Sequence, residues 1–317
     1  MIPKTLHFVW LGASFPWLNA LAIVSAAECG GFERIVLHTD CAPEVVVAHA
    51  GLRRLSMLEL RTIDVPAMAR AAGRRVEPVM ALYEAMTSLA ARSDVLRALI
   101  LEGEGGVYLD MDTVTVASFE PLLTRVAAFV GQERICFPNW TFERPGTTRV
   151  IRAYALAVAR YLLASAPRGY RAFGVIAEHY ALAVNNAVLG AEPHHPLIEA
   201  YIDGMLALPL ERAARRYAIG PHLLARVCRQ FQNRDASLAL LGSSVFYPLS
   251  PVISEHWWRS TRLPALKDVL SEDTLVVHWY ASVRSKKLAG QVDAEYVRSH
   301  RDSQLFSRLA ARYLHAC

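Results

Sequence analysis

Apolar and polar positions change period several times along the chain, and each change marks an element. IPKTLHFVWLG (2–12) predicts a first strand ended by a glycine turn. Phe15 to Glu28 predicts a helix that Gly30 and Gly31 stop, and ERIVLHTD (33–40) predicts a second strand ending at Asp40. Together they form the opening βαβ unit of a parallel sheet, with a further strand over 55–64. From Pro78 a helical pattern runs through ALYEAMTSLAARSDVLRALILEGEG, with Leu82, Leu89, Leu96, Leu99 and Ile100 as its buried stripe. Gly103, Gly105 and Gly106 end it, and the strand GVYLDMDTVTV follows. Beyond about residue 145 the pattern is mostly helical and rich in Ala and Arg, interrupted by a strand-like AVNNAVLG. Residues 238–247 and 274–280 read as late strands, and SQLFSRLAARYLHA as an amphipathic C-terminal helix. Short apolar runs alternating with helices define an α/β class.

Within GGVYLDMDT (105–113), Val107, Leu109 and Met111 alternate with Tyr108, Asp110 and Asp112. On a strand this gives one apolar face and one face with two neighbouring carboxylates. Like charges that close repel, and burying them is costly. A cation between them removes the difficulty. Mg²⁺ and Mn²⁺ take oxygen ligands, commonly one or two carboxylates plus substrate phosphates, and the C-terminal ends of strands are where α/β sheets bind ligands. A solvated strand end accounts for an isolated D-x-D equally well. Upstream, Asp94 and Arg97 are i, i+3 on the long helix and share a face. They form either a surface ion pair or a carboxylate for a ribose hydroxyl beside a guanidinium for a phosphate or sugar oxygen.

Composition narrows the options. The 317 residues are 53% hydrophobic and 20% charged, enough for a sizeable core and against wholesale disorder. The net charge of +5 is dispersed, without a long basic run or a nucleic-acid module, so no nucleic-acid partner is expected. Cys29, Cys41, Cys136, Cys228 and Cys317 lack any C-x-x-C spacing, which reads as reduced thiols. Residues 5–27 carry no Asp, Glu, Lys or Arg. His7, Ser14, Pro16 and Asn19 within them favour a strand and a helix over a membrane span.

The ordered set IPKxxHFxWLG, S-D-x-x-R, an apolar helix and G-G-x-Y-x-D-x-D resembles the DXD-containing sugar-binding-region glycosyltransferases. That family includes yeast mannosyltransferases, bacterial capsule enzymes and clostridial toxin glucosyltransferase domains. The likeness is strongest over 2–12 and 87–117, and weaker at NNAVLG (185–190), IGPHLL (219–224) and HWYAS (278–282). It implies a single GT-A domain over 1–317, a Rossmann-like nucleotide-binding half with a mixed central sheet and an added helical C-terminal region. Residues 1–145 would be mainly the nucleotide-sugar and metal half, and 146–317 the acceptor half with a closing loop.

The resemblance also implies a metal-dependent, retaining transfer from a UDP- or GDP-sugar to a hydroxyl acceptor, with Mn²⁺ or Mg²⁺. By position, Trp10 would stack on the donor base, and Asp94, Arg97, Tyr108, Asn186 and Ser282 would contact the donor. Asp110 would bind ribose and metal, Asp112 the metal directly, and His278 would be a third ligand. The catalytic set is then Asp110, Asp112 and Arg97. Asn185 shares the expected strand island with Asn186, and turn-forming asparagines are the plain reading of both. Relatives often read H-x-x-x-S-W after the last strand. Here His278 and Ser282 fit, but Val283 replaces the Trp. Arg284, Lys286 and Lys287 follow as a basic loop. A bacterial polysaccharide or glycolipid pathway is the first expectation, with a glycan, lipid or small-molecule acceptor. The place expected is the cytoplasm, with peripheral contact at the inner face of the membrane through the C-terminal helix. The alternatives are a natural-product or protein-modifying transferase, a metal-dependent phosphohydrolase or nucleotidyltransferase, and a binding module without catalysis.

Overall fold

The first apolar runs become strands that pair in parallel. In the computed structural model, which describes residues 1–137, 146–231, 237–262, 264–281 and 290–315, β1 is Thr5–Trp10, β2 Arg34–Thr39 and β3 Leu58–Thr62. β4 (Gly106–Leu109) joins β1 on its other side, also in parallel. Two long strands extend the sheet, β6 (Ala128–Ile135) and β7 (Ala181–Ala191), with β8 (Leu238–Leu241) at the far edge. The order is β3-β2-β1-β4-β7-β6-β8, and only β7 runs against the others. A second sheet pairs β5 (Thr113–Thr115) antiparallel with β9 (Val276–His278). The α/β class and the mixed central sheet are those expected from the sequence.

Side-chain alternation along the strands divides the core in two. Leu6, Phe8, Val107 and Leu109 face one cluster, with helix α1 (Trp17–Cys29) and the C-terminal helices. Val9, Tyr108, Val130 and Leu189 face the other. That second side holds α2 (Val65–Ala71), α3 (Val76–Ala85) and α4 (Leu89–Glu104). The uncharged stretch 5–27 becomes β1 and α1, both largely buried. Among the described residues no helix is long and apolar enough to cross a membrane.

Several expectations need correction. The helical pattern from Pro78 is two helices. Met86 is extended, and the Ser88 hydroxyl accepts the Ala91 N–H at 3.2 Å to start α4. Leu89, placed in the buried stripe, is exposed in that first turn, whereas Leu82, Leu96, Leu99 and Ile100 are buried. GVYLDMDTVTV is likewise two strands, β4 and β5, in different sheets. Strand β6 carries no clear pattern and was not expected. The 238–247 run is β8 followed by a short helical turn at Ser243–Phe246. Ser254–Trp257 is a 3₁₀ turn in which Trp257 is buried.

After β6 the chain forms α5 (Thr147–Ser165) and α6 (Gly169–Ile176). After β7 come α7 (Pro196–Leu206) and α8 (Pro221–Phe231). α9 (Ala294–His300) and α10 (Leu305–Ala310) close the chain. The expected long C-terminal helix is only α10 and a 3₁₀ turn. Its apolar face, Leu305, Phe306, Leu309 and Tyr313, lies in the core, so that face is not free to dock on a membrane.

Candidate active site

Arg97 organises the centre of the candidate site. It lies on α4, one turn after Ser93 and three residues after Asp94, so it shares a face with each; Ser93 reaches Tyr108 of β4, and Asp94 reaches Asn186 of β7. Gly105 and Gly106 make this approach feasible. Both have positive φ (64° and 94°), and a Cβ on Gly106 would sit 2.4 Å from the Thr5 carbonyl oxygen. The chain can therefore end α4 and turn at once into β4, laying Tyr108 beneath the helix. The guanidinium carbon stands 4.4 Å from the Tyr108 ring centroid. Arg97 Nη2 is 3.2 Å from Asp94 Oδ1 and 3.0 Å from Asp110 Oδ1. Its other donors reach the carbonyl oxygens of Asn186 and Ser93. The side chain is 4% exposed.

Asp110 follows the last residue of β4, where the large sheet gives out. Its N–H donates to the Ala187 carbonyl at 2.8 Å. Tyr108 Oη donates to Asp110 Oδ1 at 2.8 Å and meets Ser93 Oγ at 3.0 Å. Among the described residues, Asp110 Oδ2 receives no hydrogen bond. The D-x-D thus lies in the link between the two sheets. Tyr108 and Asp110 stay neighbours, while Asp112 turns to β9. Asp112 Oδ1 lies 2.9 Å from His278 Nε2, and Oδ2 accepts the Ala281 N–H at 2.7 Å. The register of β5 with β9 sets this up, because Thr113 pairs directly with His278. One ligand atom from each of Asp110, Asp112 and His278 falls within 4.8 Å of the others.

Electrostatics separates these groups. Burial raises the Asp94 carboxyl to about 6, with Arg97 and Asn186 opposing the rise. Burial also raises Asp110; Arg97 opposes this and the Asp112 charge adds to it. Burial would raise Asp112 too, but His278 and the Ala281 N–H hold it below the usual range. Burial disfavours the His278 imidazolium, yet Asp112, Asp110 and Glu133 together lift its pKa. Burial would likewise weaken Arg97 as a cation, and Asp110, Tyr108 and Asp94 more than offset that. Asp110 is the most open of the three possible ligands, at 28% exposure against 16% for Asp112 and 7% for His278.

The two asparagines do not form a turn. They lie within β7, beside an irregularity in its pairing with β6 that begins between Val130 and Gly131. Asn186 Nδ2 donates to Asp94 Oδ1 at 2.7 Å, and Asn185 Nδ2 donates to Glu133 Oε2 at 2.8 Å. Trp10 ends β1, half-buried, edge-on to Phe15 and with its Nε1 donating to the Ser14 carbonyl. IGPHLL enters through Gly220. A Cβ there would stand 2.5 Å from Asp94 Oδ2 and 3.2 Å from Asn186 Nδ2. Ser282, Val283, Arg284, Lys286 and Lys287 lie outside the described residues.

Two further residues join the site. Ser93 belongs to the S-D-x-x-R run, where the spacing alone assigns it no role. Glu133, on the unexpected β6, accepts hydrogen bonds from Tyr280 Oη (2.7 Å) and Asn185, and burial raises its carboxyl. Its one sequence signal is an acidic residue two positions after Gly131 in a stretch that reads as solvated.

Fold and site define a Rossmann-like α/β fold with an acidic, histidine-bearing cluster just past the C-terminal end of β4. Residues 31–128 match the family described as glycosyltransferase sugar-binding region containing DXD motif. That segment contains Asp94, Arg97, Asp110 and Asp112. The chain is 27% identical over 179 residues to a protein named Toxin from Photorhabdus asymbiotica, covering 50% of this chain and 6% of that protein. It is thus similar to a small part of a much longer relative. Among solved structures it is similar to PaToxG Glycosyltransferase, at 19% identity and a TM-score of 0.45, covering 74% of this chain and 70% of that one. It is also similar to mouse xyloside xylosyltransferase 1, at 14% identity and a TM-score of 0.46, covering 89% and 99%.

Proposed function

We propose that this protein is a metal-dependent, retaining glycosyltransferase that moves a sugar from a nucleotide-sugar to a hydroxyl acceptor. The carrying observation is the convergence of Asp110, Asp112 and His278. Two carboxylates and an imidazole form a donor set suited to Mn²⁺, and Mg²⁺ accepts the oxygens. The fit has a further support: Asp110 keeps one oxygen without a hydrogen bond among the described residues. The proton that His278 shares with Asp112 at 2.9 Å would leave as the imidazole binds the cation.

When bound there, the cation would offset the donor diphosphate charge and act as a Lewis acid toward the leaving group. The remaining work belongs to the chain. Arg97 and Tyr108 fix the Asp110 carboxylate through Oδ1, leaving Oδ2 toward the cleft. Asn186 and Arg97 hold Asp94, which offers its other oxygen to a donor hydroxyl. Trp10 offers a partly open aromatic face for the base at the end of β1. Glu133, held by Tyr280 and Asn185, places an acceptor group beside the cation site for a hydroxyl of the donor sugar. The acceptor hydroxyl attacks from the leaving-group side, and the departing phosphate takes its proton. Asp110 and Asp112 sit together on one side of the cleft, so they are not the two flanking carboxyls of a glycosidase. The pathway we favour is bacterial polysaccharide or glycolipid synthesis in the cytoplasm.

The test is incubation with UDP- and GDP-sugars and Mn²⁺, followed by product analysis. Release of the nucleoside diphosphate, absent in Asp112→Asn, is expected. Release of inorganic phosphate or pyrophosphate instead would assign the site to a phosphohydrolase or nucleotidyltransferase.

A further inference from the structure

Helix α5 carries an apolar face that the other described residues leave largely exposed. Ile151, Tyr154, Val158, Tyr161 and Leu162 recur at helical spacing and are each 57% to 67% exposed. The opposite side of the helix is already packed. Ala153 and Ala164 are buried, Leu156 and Leu163 join the core, and Arg160 is paired with Glu255. The stripe runs along a helix about 28 Å long. It begins beside the C-terminal end of β6, the strand that carries Glu133, where the Phe137 ring stands 5.5 Å from Tyr154. Val175 on α6 adds a further open apolar side chain, 83% exposed.

Charge indicates what covers this face. Residues 146–179 contain five arginines, no Lys and one acidic residue, Glu178. Arg160 and Arg171 are matched by Glu255 and Asp268. Arg152 and Arg168 donate to the carbonyl oxygens of His179 and Arg262, which leave their charge in place. Neither Arg152 nor Arg168 has an acidic partner among the described residues, so two copies packed through this segment would bring like charges together. An anionic lipid surface would attract them while the apolar stripe enters the headgroup boundary, with the tyrosines suited to its polar edge.

We infer that α5 is a peripheral docking helix for anionic lipid, set beside the sugar-transfer cleft. The inference replaces the C-terminal helix as the membrane-facing element and does not depend on the reaction assigned to the cleft. Co-sedimentation with phosphatidylcholine vesicles, with and without phosphatidylglycerol, tests it on the full chain. Retention on the anionic vesicles alone is expected, weakened by high salt. The triple variant Tyr154→Ser, Val158→Ser, Leu162→Ser should lower partition at least about tenfold at unchanged Tm, since the side chains removed are exposed. Arg152→Gln with Arg168→Gln should lower it too. The inference fails if the wild type stays in solution with anionic vesicles, or if the triple variant binds as well as the wild type. It also fails if light scattering shows a dimer that the triple variant dissolves, which would assign the face to a second copy.

Discussion

The Arg97 guanidinium is buried between an aromatic ring and two carboxylates. The spacing of Asp94 and Arg97 shows that they share a helix face, but not how deeply that face is buried. The structure surrounds the guanidinium with Asp94, Asp110, Tyr108 and the Asn186 carbonyl. A residue so enclosed acts first on the protein. Arg97→Met should cost about 3–5 kcal/mol, because two buried carboxylates lose their shared counter-charge. Urea denaturation measures this. An unchanged midpoint with only a raised KM for donor would show instead that Arg97 serves the donor directly. Gly220 bears on the same cluster from the other side. Gly220→Ala would drive a methyl group against Asp94 and Asn186, and donor turnover should fall well before stability does. Wild-type kinetics for that variant would mean that Asp94 can shift without consequence. The glycine was legible as part of a motif, but its reason, contact with Asp94, exists only in three dimensions.

At the level of elements, β1, α1, β2 and β3 were legible because their apolar periods are clean and glycines punctuate them. The D-x-D was harder to place. Alternation continues unbroken through Met111, so nothing in the pattern marks where the chain leaves one sheet for another. β6 leaves no clear apolar period in the sequence because its second half, Gln132 to Ile135, is only partly buried. β1 and β2 also share a feature that the sequence hides, a contact between His7 and His38 in the core. His7 Nδ1 is 3.1 Å from His38 Nε2, and His7 Nε2 is 3.1 Å from the Gly105 carbonyl oxygen. Burial lowers their pKa values to about 3 and about 2, helped by Arg61 and Arg34 and, for His38, by His7. Unfolded imidazoles titrate near 6.5, so between these limits the unfolded chain binds more protons. Stability from this pair is therefore complete above about pH 6.5 and is lost as the pH falls, by up to about 1.4 kcal/mol per pH unit for each histidine. Unfolding free energies at pH 7.5 and 5 should show the loss, and His7→Gln with His38→Gln should flatten it. Equal slopes for both proteins would place the acid sensitivity elsewhere.

Across the whole molecule, the C-terminal segment ties the two-stranded sheet to the main core. Phe306 is fully buried and stacks on Trp258 with ring centroids 4.1 Å apart, and Tyr313 Oη donates to the Thr115 carbonyl at 2.6 Å. Phe306→Ala should destabilise the protein by about 3–5 kcal/mol, read as a fall in Tm. Little change would show that this end of the chain is not integral to the fold. An amphipathic pattern identified the segment as a helix but could not say whether its apolar side meets lipid or protein. Only the packing settles that, and it is also what brings β9, and with it His278, up to Asp112.

On the proposed function, Asp110, Asp112 and His278 together hold one divalent cation. Titration with Mn²⁺ followed by electron paramagnetic resonance, with UDP present, tests it directly. One site per chain is expected in the wild type, lost in Asp112→Asn and weakened in His278→Ala, with all three proteins equally folded. Mn²⁺ binding that is absent from the wild type, or unchanged in both variants, would contradict the account.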